Sequence, residues 1–232
     1  MALKLGIENG SEGRTIVWVL EHLGCFSYGE NSQEALDALP AALQEYNEWL
    51  VRHEQGARVI PLDLDFHIDG TWEVYQIDEN FAVTSEGYEV NAWFQDDWKP
   101  LAEKEIALGI ELLSMSRADL LLTVEGLGEE TMNLKLPGER WSIAGILKHV
   151  ASADWWYLDR LGMAFPSDQL PSEPGERLDK VRTHMVDILP SLAGSKLVVG
   201  IEGEFWSPRK LLRRAVWHER DHTFHIRKLM KL

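Results

Sequence analysis

The C-terminal segment carries an apolar stripe interrupted by imidazoles, and that stripe limits what this chain can fold into. Ser207-Pro208 reads as an N-cap followed by proline at the first helical position, where the missing N–H costs nothing. Leu211, Ala215, His218, His222, His225 and Leu229 then recur at spacings of four, three, four, three and four. Such a stripe is the inward face of a helix packed among others, with three imidazoles where leucines are expected. Buried rings without partners cost free energy, so something must satisfy them. Residues at i and i+4 share one face, so His218 and His222 can aim two nitrogens at one point. His225 stands two turns from His218, about 10 Å along the axis, too far to share that point with it. The pair reads equally as hydrogen-bonded core residues or as metal ligands, and two ligands do not complete a site. Glu219, off the stripe, is expected to face solvent.

A third imidazole is available upstream. Pro137-Gly138-Glu139-Arg140 forms a turn that feeds a helix beginning near Trp141-Ser142. Ile146, His149, Ala153 and Trp156 share one face of that helix, so His149 can point into the same interior. Three neutral imidazoles leave coordination positions for water or a substrate, the arrangement of a catalytic rather than a structural metal site. Asp154, Asp221 and His225 are the candidates for orienting a ligand ring from behind, with Asp221 offset from the histidine stripe. Two more helices are expected, from Pro100 to about Leu122 and from Glu176 to Leu192, each with leucines at helical spacing. Residues 166–175 read as a loop, and residues 194–206 as a connection long enough for a short hairpin.

The run Trp141-Ser142-Ile143, then Ile146-Leu147 and His149, followed by His218, His222 and Ile226-Arg227 on the last helix, resembles the DinB/YfiT-like proteins. The resemblance covers roughly residues 96–232. It implies an all-α, up-down four-helix bundle with a divalent metal, zinc or nickel, on His149, His218 and His222. Members of that family include transferases that use a low-molecular-weight thiol and others classed as hydrolases. The resemblance therefore implies a metal-dependent enzyme acting on a small molecule, in which the ion activates water or a thiol.

Charge separates this half from the other. Residues 1–95 hold 17 acidic against 4 basic side chains, a net of −13, while residues 96–232 hold 21 against 19. We therefore expect a boundary near Asp96 and two domains, 1–95 and 96–232. An acidic domain repels phosphate backbones, so nucleic acid is not an expected partner. The basic residues from Arg209 to Lys231 on the last helix are expected on a solvated outer face, or docked against the acidic domain.

The first domain reads β-β-β-α-β(-β), making the whole chain α+β. Two strands flank the turn-rich Asn9-Gly10-Ser11-Glu12-Gly13, and a third covers Cys25–Tyr28. Asn31 and Glu34 form a capping box for one helix to about His53, with Pro40 as an irregularity. Ile60, Leu62, Leu64, Phe66 and Ile68 alternate with Asp63, Asp65, His67 and Asp69, predicting a strand with one buried face and one solvated face. Trp72–Ile77 is expected to pair back across Asp69-Gly70. The stretch Gly24-Cys25-Phe26, then Glu34-Ala35-Leu36, resembles the HicB-like fold of type II antitoxins, strongly over residues 1–55. That resemblance implies a recognition or oligomerisation module, although the DNA-binding segment such antitoxins usually add is replaced here by the histidine-bearing helices.

One cysteine, Cys25, excludes an internal disulfide framework and fits a reducing compartment. No apolar run approaches the roughly 18 residues of a membrane span, so a cytoplasmic protein without membrane partners is expected. No phosphate-binding glycine loop, paired-cysteine motif or serine-hydrolase elbow is present. Three functions remain: the metal-dependent enzyme, a non-catalytic bundle with a structural or vestigial histidine site, and an antitoxin-like regulator that binds a protein through residues 1–95. Both resemblances imply a homo-oligomer.

Overall fold

The computed structural model describes residues 2–63 and 65–231. It is a mixed α+β structure, with a sheet near the N-terminus and helices towards the C-terminus. Two compact units emerge, Met1–Lys99 with Val198–Arg213, and Pro100–Leu197 with Arg214–Leu232. Residues 198–213 thus group with the first 99 residues, although their sequence neighbours are those of the helical part.

In the first unit, β1 (Leu3–Ser11) and β2 (Arg14–Val19) form a hairpin whose two central residues, Glu12 and Gly13, both have positive φ, at 49° and 76°. That conformation matches the right-handed twist of the flanking strands. β3 (Phe26–Gly29) pairs antiparallel with β2. The chain then enters α1 (Ser32–Asp37), whose first turn is capped by Asn31 Oδ1 accepting from Glu34 N–H at 3.0 Å. The single helix expected to His53 is in fact two. Ala38 ends α1 and α2 (Leu39–Arg52) begins directly, with Pro40 in its first turn, where no N–H is needed.

β4 (Phe66–Glu73) completes the sheet order β3-β2-β1-β4, lying parallel to β1 at the edge. Here the alternation misleads. Ile60 is buried, but Phe66 and Ile68 are 52 % and 44 % exposed, because an edge strand beyond β1 meets no second layer at these positions. Ile60 itself is held outside any strand: the Asn47 amide donates to its carbonyl and accepts from its N–H, both at 2.7 Å. A side chain on α2 thus replaces the ladder partner a strand would supply. Leu64 lies outside the described residues. The turn expected at Asp69-Gly70 does not form, since β4 continues through both residues, with Asp69 an extra residue where the register against Leu5 and Gly6 shifts. Instead β5 (Tyr75–Ile77) leaves for a second small sheet, order β6-β5-β7, with β6 (Val83–Thr84) and β7 (Tyr88–Val90). The hairpin of β8 (Val199–Ile201) and β9 (Glu204–Trp206) occupies the connection expected to hold one.

Gly6 shows how tightly this unit is filled. A Cβ there would stand 2.7 Å from the ring of buried Phe94. Gly6→Ala is therefore expected to cost about 1–3 kcal/mol through overpacking. Urea unfolding of the variant checks this, and an unchanged midpoint would show that the Phe94 ring moves aside freely.

The second unit contains α3 (Glu103–Val124), the short α4 (Glu129–Asn133), α5 (Ile143–Arg160), α6 (Pro174–Ile188) and most of α7 (Pro208–Leu229). Its core joins Leu120 of α3, Ile146 and Val150 of α5, Leu178 of α6 and Ile226 of α7. α6 stops four residues before the expected Leu192, where Pro190 lies in a following 3-10 turn and cannot donate to a helical ladder. α7 begins as expected, with Ser207 Oγ accepting from Lys210 N–H at 3.2 Å. Its basic first turns are not solvated. Lys210, at 0 % exposure, donates to the Phe205 carbonyl at 3.0 Å, and Arg213 pairs with Asp97 at 2.7 Å, both within the first unit. Among the described residues no helix is long and apolar enough to cross a membrane.

Candidate metal centre

Two helices bring three imidazoles together. Ser142 caps α5 by accepting from Gly145 N–H at 3.2 Å, which fixes where the helix starts and places His149 at the end of its second turn. α7 presents His218 and His222 one turn apart. His218 Nε2 lies 3.1 Å from His149 Nε2 and 3.1 Å from His222 Nε2, and the ligand atoms of all three lie within 4.8 Å of one another.

Hydrogen bonding alone cannot account for both short contacts. A neutral imidazole Nε2 carries either one N–H or one in-plane lone pair, so it serves one such partner well and not two. Nitrogens around a shared ion fit better. At a metal–nitrogen distance of about 2.0–2.1 Å, tetrahedral ligands stand roughly 3.3 Å apart and adjacent octahedral ligands roughly 3.0 Å apart. The cluster is therefore compatible with a divalent metal ion. Burial pushes the His218 pKa well below its ordinary value, helped by His222, His149 and Arg214. The ring is thus neutral, as a ligand must be. Its Nδ1 is buried and has no hydrogen-bond partner.

Aromatic rings wall the cluster. Trp141 stacks on His149 with centroids 4.3 Å apart and planes 21° apart, and the Arg140 guanidinium lies over the same indole at 4.4 Å. Tyr157 meets His218 edge-on at 6.2 Å. The tryptophan that leads α5 is therefore part of the site, in addition to marking the start of its helix.

The three residues considered as orienting partners are placed differently from one another. His225 pairs with Glu139 at 2.9 Å, with its ring centroid 6.1 Å from that of His222. Asp221 is half-buried on α7. Asp154 accepts from Arg182 at 2.7 Å and has no hydrogen bond to a histidine. Glu219 is the clear departure from expectation. It is 0 % exposed and receives Arg117 Nε at 2.6 Å, Ser116 Oγ at 2.6 Å and Arg182 Nη2 at 3.0 Å. Every residue from Leu211 to Arg220 is buried, so this stretch of α7 has no solvated side for Glu219 to occupy.

Burial drives the Asp154 carboxyl above its ordinary pKa, against the pull of Arg182. Burial acts the same way on Glu219, but Arg182 and Arg117 outweigh it and hold that carboxyl below its ordinary value. A signal for this group was present in the sequence. Arg117 sits between Leu113 and Leu120, Asp154 between Ala151 and Leu158, Arg182 between Leu178 and Met185, and Glu219 between Val216 and Ile226. Each occupies a core position of its own helix, and together they carry no net charge.

No curated protein matches the chain. The sequence model of the DinB superfamily matches residues 112–226, a span that contains His149, His218 and His222. Residues 112–226 are a DinB-like domain.

Proposed function

We propose that this protein is a metal-dependent enzyme in which His149, His218 and His222 hold one divalent ion, zinc or nickel, within a DinB/YfiT-like four-helix bundle formed by α3, α5, α6 and α7. The observation that carries this reading is the convergence of three Nε2 atoms on one point, with His218 Nε2 3.1 Å from each of the others. Three neutral imidazoles would leave coordination positions for water or a thiol, and a divalent ion there would supply Lewis acidity that lowers the pKa of what it binds. The chain's own residues fix the ligand rings, with Trp141 holding His149 and Tyr157 bordering His218. The substrate is accordingly a small molecule, attacked either by water or by a low-molecular-weight thiol. For residues 1–95 we propose a HicB-like recognition or oligomerisation module, on the β-β-β-α-α-β order with β4 at the sheet edge.

Elemental mass spectrometry of the purified protein, beside His149→Ala and His222→Ala, tests the reading. The expected result is one ion per chain in the parent, lost from both variants while each stays folded. No ion in the parent after incubation with zinc or nickel would remove the enzyme reading. A milder effect is expected at the wall. Trp141→Ala removes a stacking contact of about 0.5–1.5 kcal/mol, and zinc affinity should fall by a corresponding few-fold to tenfold. Trp141→Phe should restore most of it in the same calorimetric titration.

A further inference from the structure

We infer that the buried quartet of Arg117, Asp154, Arg182 and Glu219 is a positioning device for the three-histidine centre, setting the rotation of α5 and α7 rather than adding stability. This rests on the metal-site reading above. The quartet takes one residue from each of α3, α5, α6 and α7, and three hydrogen bonds and one longer ion-pair contact close it into a ring. Arg117 Nε donates to Glu219 Oε1 at 2.6 Å. Arg182 Nη2 spans Glu219 Oε2 at 3.0 Å and Asp154 Oδ2 at 2.7 Å. Arg117 Nη2 lies 3.9 Å from Asp154 Oδ2. The remaining donors reach backbone, Arg117 Nη1 to the Leu178 carbonyl at 2.9 Å and Arg182 Nη1 to the Leu113 carbonyl at 2.7 Å. Each arginine therefore grips both a carboxylate and the backbone of another helix.

The ring is a poor stabiliser. Taking four ions out of water costs more than their mutual attraction returns unless every lone pair and proton is matched. Here Asp154 Oδ1, Arg117 Nη2 and Arg182 Nε have no hydrogen-bond partner. Apolar residues of similar volume would satisfy the core more cheaply. What they would not supply is direction. Glu219 follows His218 on α7, about 100° around the helix, and Asp154 follows His149 on α5 by five residues. Pinning the two carboxylates therefore pins the two helices that carry the ligands. A helix slipping by some 20° about its axis moves a side chain 5–6 Å out by about 2 Å. That is a whole metal–nitrogen bond, against a tolerance of about 0.2 Å.

The test replaces the quartet by Arg117→Met, Asp154→Leu, Arg182→Met and Glu219→Met together, and measures thermal unfolding, zinc affinity by calorimetry and the visible spectrum of bound cobalt. The expected result is a cooperatively folded variant at least as heat-stable as the parent. It should bind zinc at least about tenfold more weakly, the range for losing an outer partner of a metal site, with an altered cobalt spectrum. Parent-like affinity and spectrum in that variant would overturn the inference. If the fourfold variant does not fold, Asp154→Leu/Arg182→Met leaves Arg117 and Glu219 paired and carries the same expectation. If neither folds, the quartet is a stabilising element and the inference fails. A parent that binds no zinc or cobalt would instead defeat the metal reading itself, a result distinct from a parent and a variant that bind alike.

Discussion

Replacing His218 with leucine should remove the metal and, at the same time, make the metal-free protein harder to unfold. His218 is 7 % exposed, and its Nδ1 is buried without a hydrogen-bond partner. A buried polar atom left unmatched costs about 1–3 kcal/mol, which a leucine of similar bulk does not incur. The neighbouring imidazoles add a further cost whenever they are protonated. Metal affinity moves the other way. Losing an outer partner of a metal ligand already costs 10–100-fold, so losing the ligand itself should cost on the order of a hundredfold or more. The pH dependence has a definite sign. His218 is held well below its ordinary pKa in the fold, so the unfolded chain binds the proton more readily. The stability that depends on its being neutral is fully present above about pH 6.5 and drains away as pH falls below that value. Urea unfolding of metal-free parent and variant at pH 7.5 and pH 5.5, with zinc titrations of both, reads all three effects. A variant less stable than the metal-free parent at both pH values would show that the imidazole is well satisfied in the core.

Glu219→Ala should be far more damaging than replacing the whole quartet. The single change leaves two buried guanidiniums facing one carboxylate, and breaking a buried pair from one side costs about 3–5 kcal/mol. Domains of this kind have some 5–15 kcal/mol in total, so the variant should be visibly unstable, with a lowered urea midpoint. Ser116 Oγ, which donates to Glu219 at 2.6 Å, loses an acceptor in the same step. A loss below about 1 kcal/mol would mean that water reaches the arginines and screens them.

What the sequence made legible, and what it hid, follows from one assumption about charge. Imidazoles on an apolar stripe are conspicuous, because histidine has no reason to recur at i and i+4 on an inward face. His218 and His222 can therefore be paired from spacing, His149 joins them by its own inward helix face and the DinB/YfiT-like resemblance, and the structure brings the three together. Periodicity leaves Glu219 solvated and the basic residues of the last helix either solvated or docked against the acidic domain, and the solvated reading fails at Glu219, Lys210 and Arg213, all buried with partners distant in sequence. Periodicity assigns a residue to a face but does not say whether that face is wet. The alternating segment at residues 60–68 fails for the converse reason. Alternation identifies two faces, and only the tertiary neighbours decide whether either is covered. At β4 they leave Phe66 and Ile68 in the open, while Asn47 takes over the backbone of Ile60. The split at Ala38 and the end of α6 before Pro190 are local effects of proline, visible in the sequence but placed only to within a few residues.

The assignment of residues 198–213 to the first unit bears on how the gene can be cut. A stop codon after Lys99 would look like a clean domain border, yet the product would lack Arg213 and leave the buried Asp97 carboxylate without its cation. A fragment starting at Pro100 would carry Lys210 and Glu204 without Asn91 and Tyr88, which bond to them. Neither half is a portable cassette. Any chimera that exchanges the first 99 residues for another module must carry the β8–β9 hairpin and the first turns of α7 along with them.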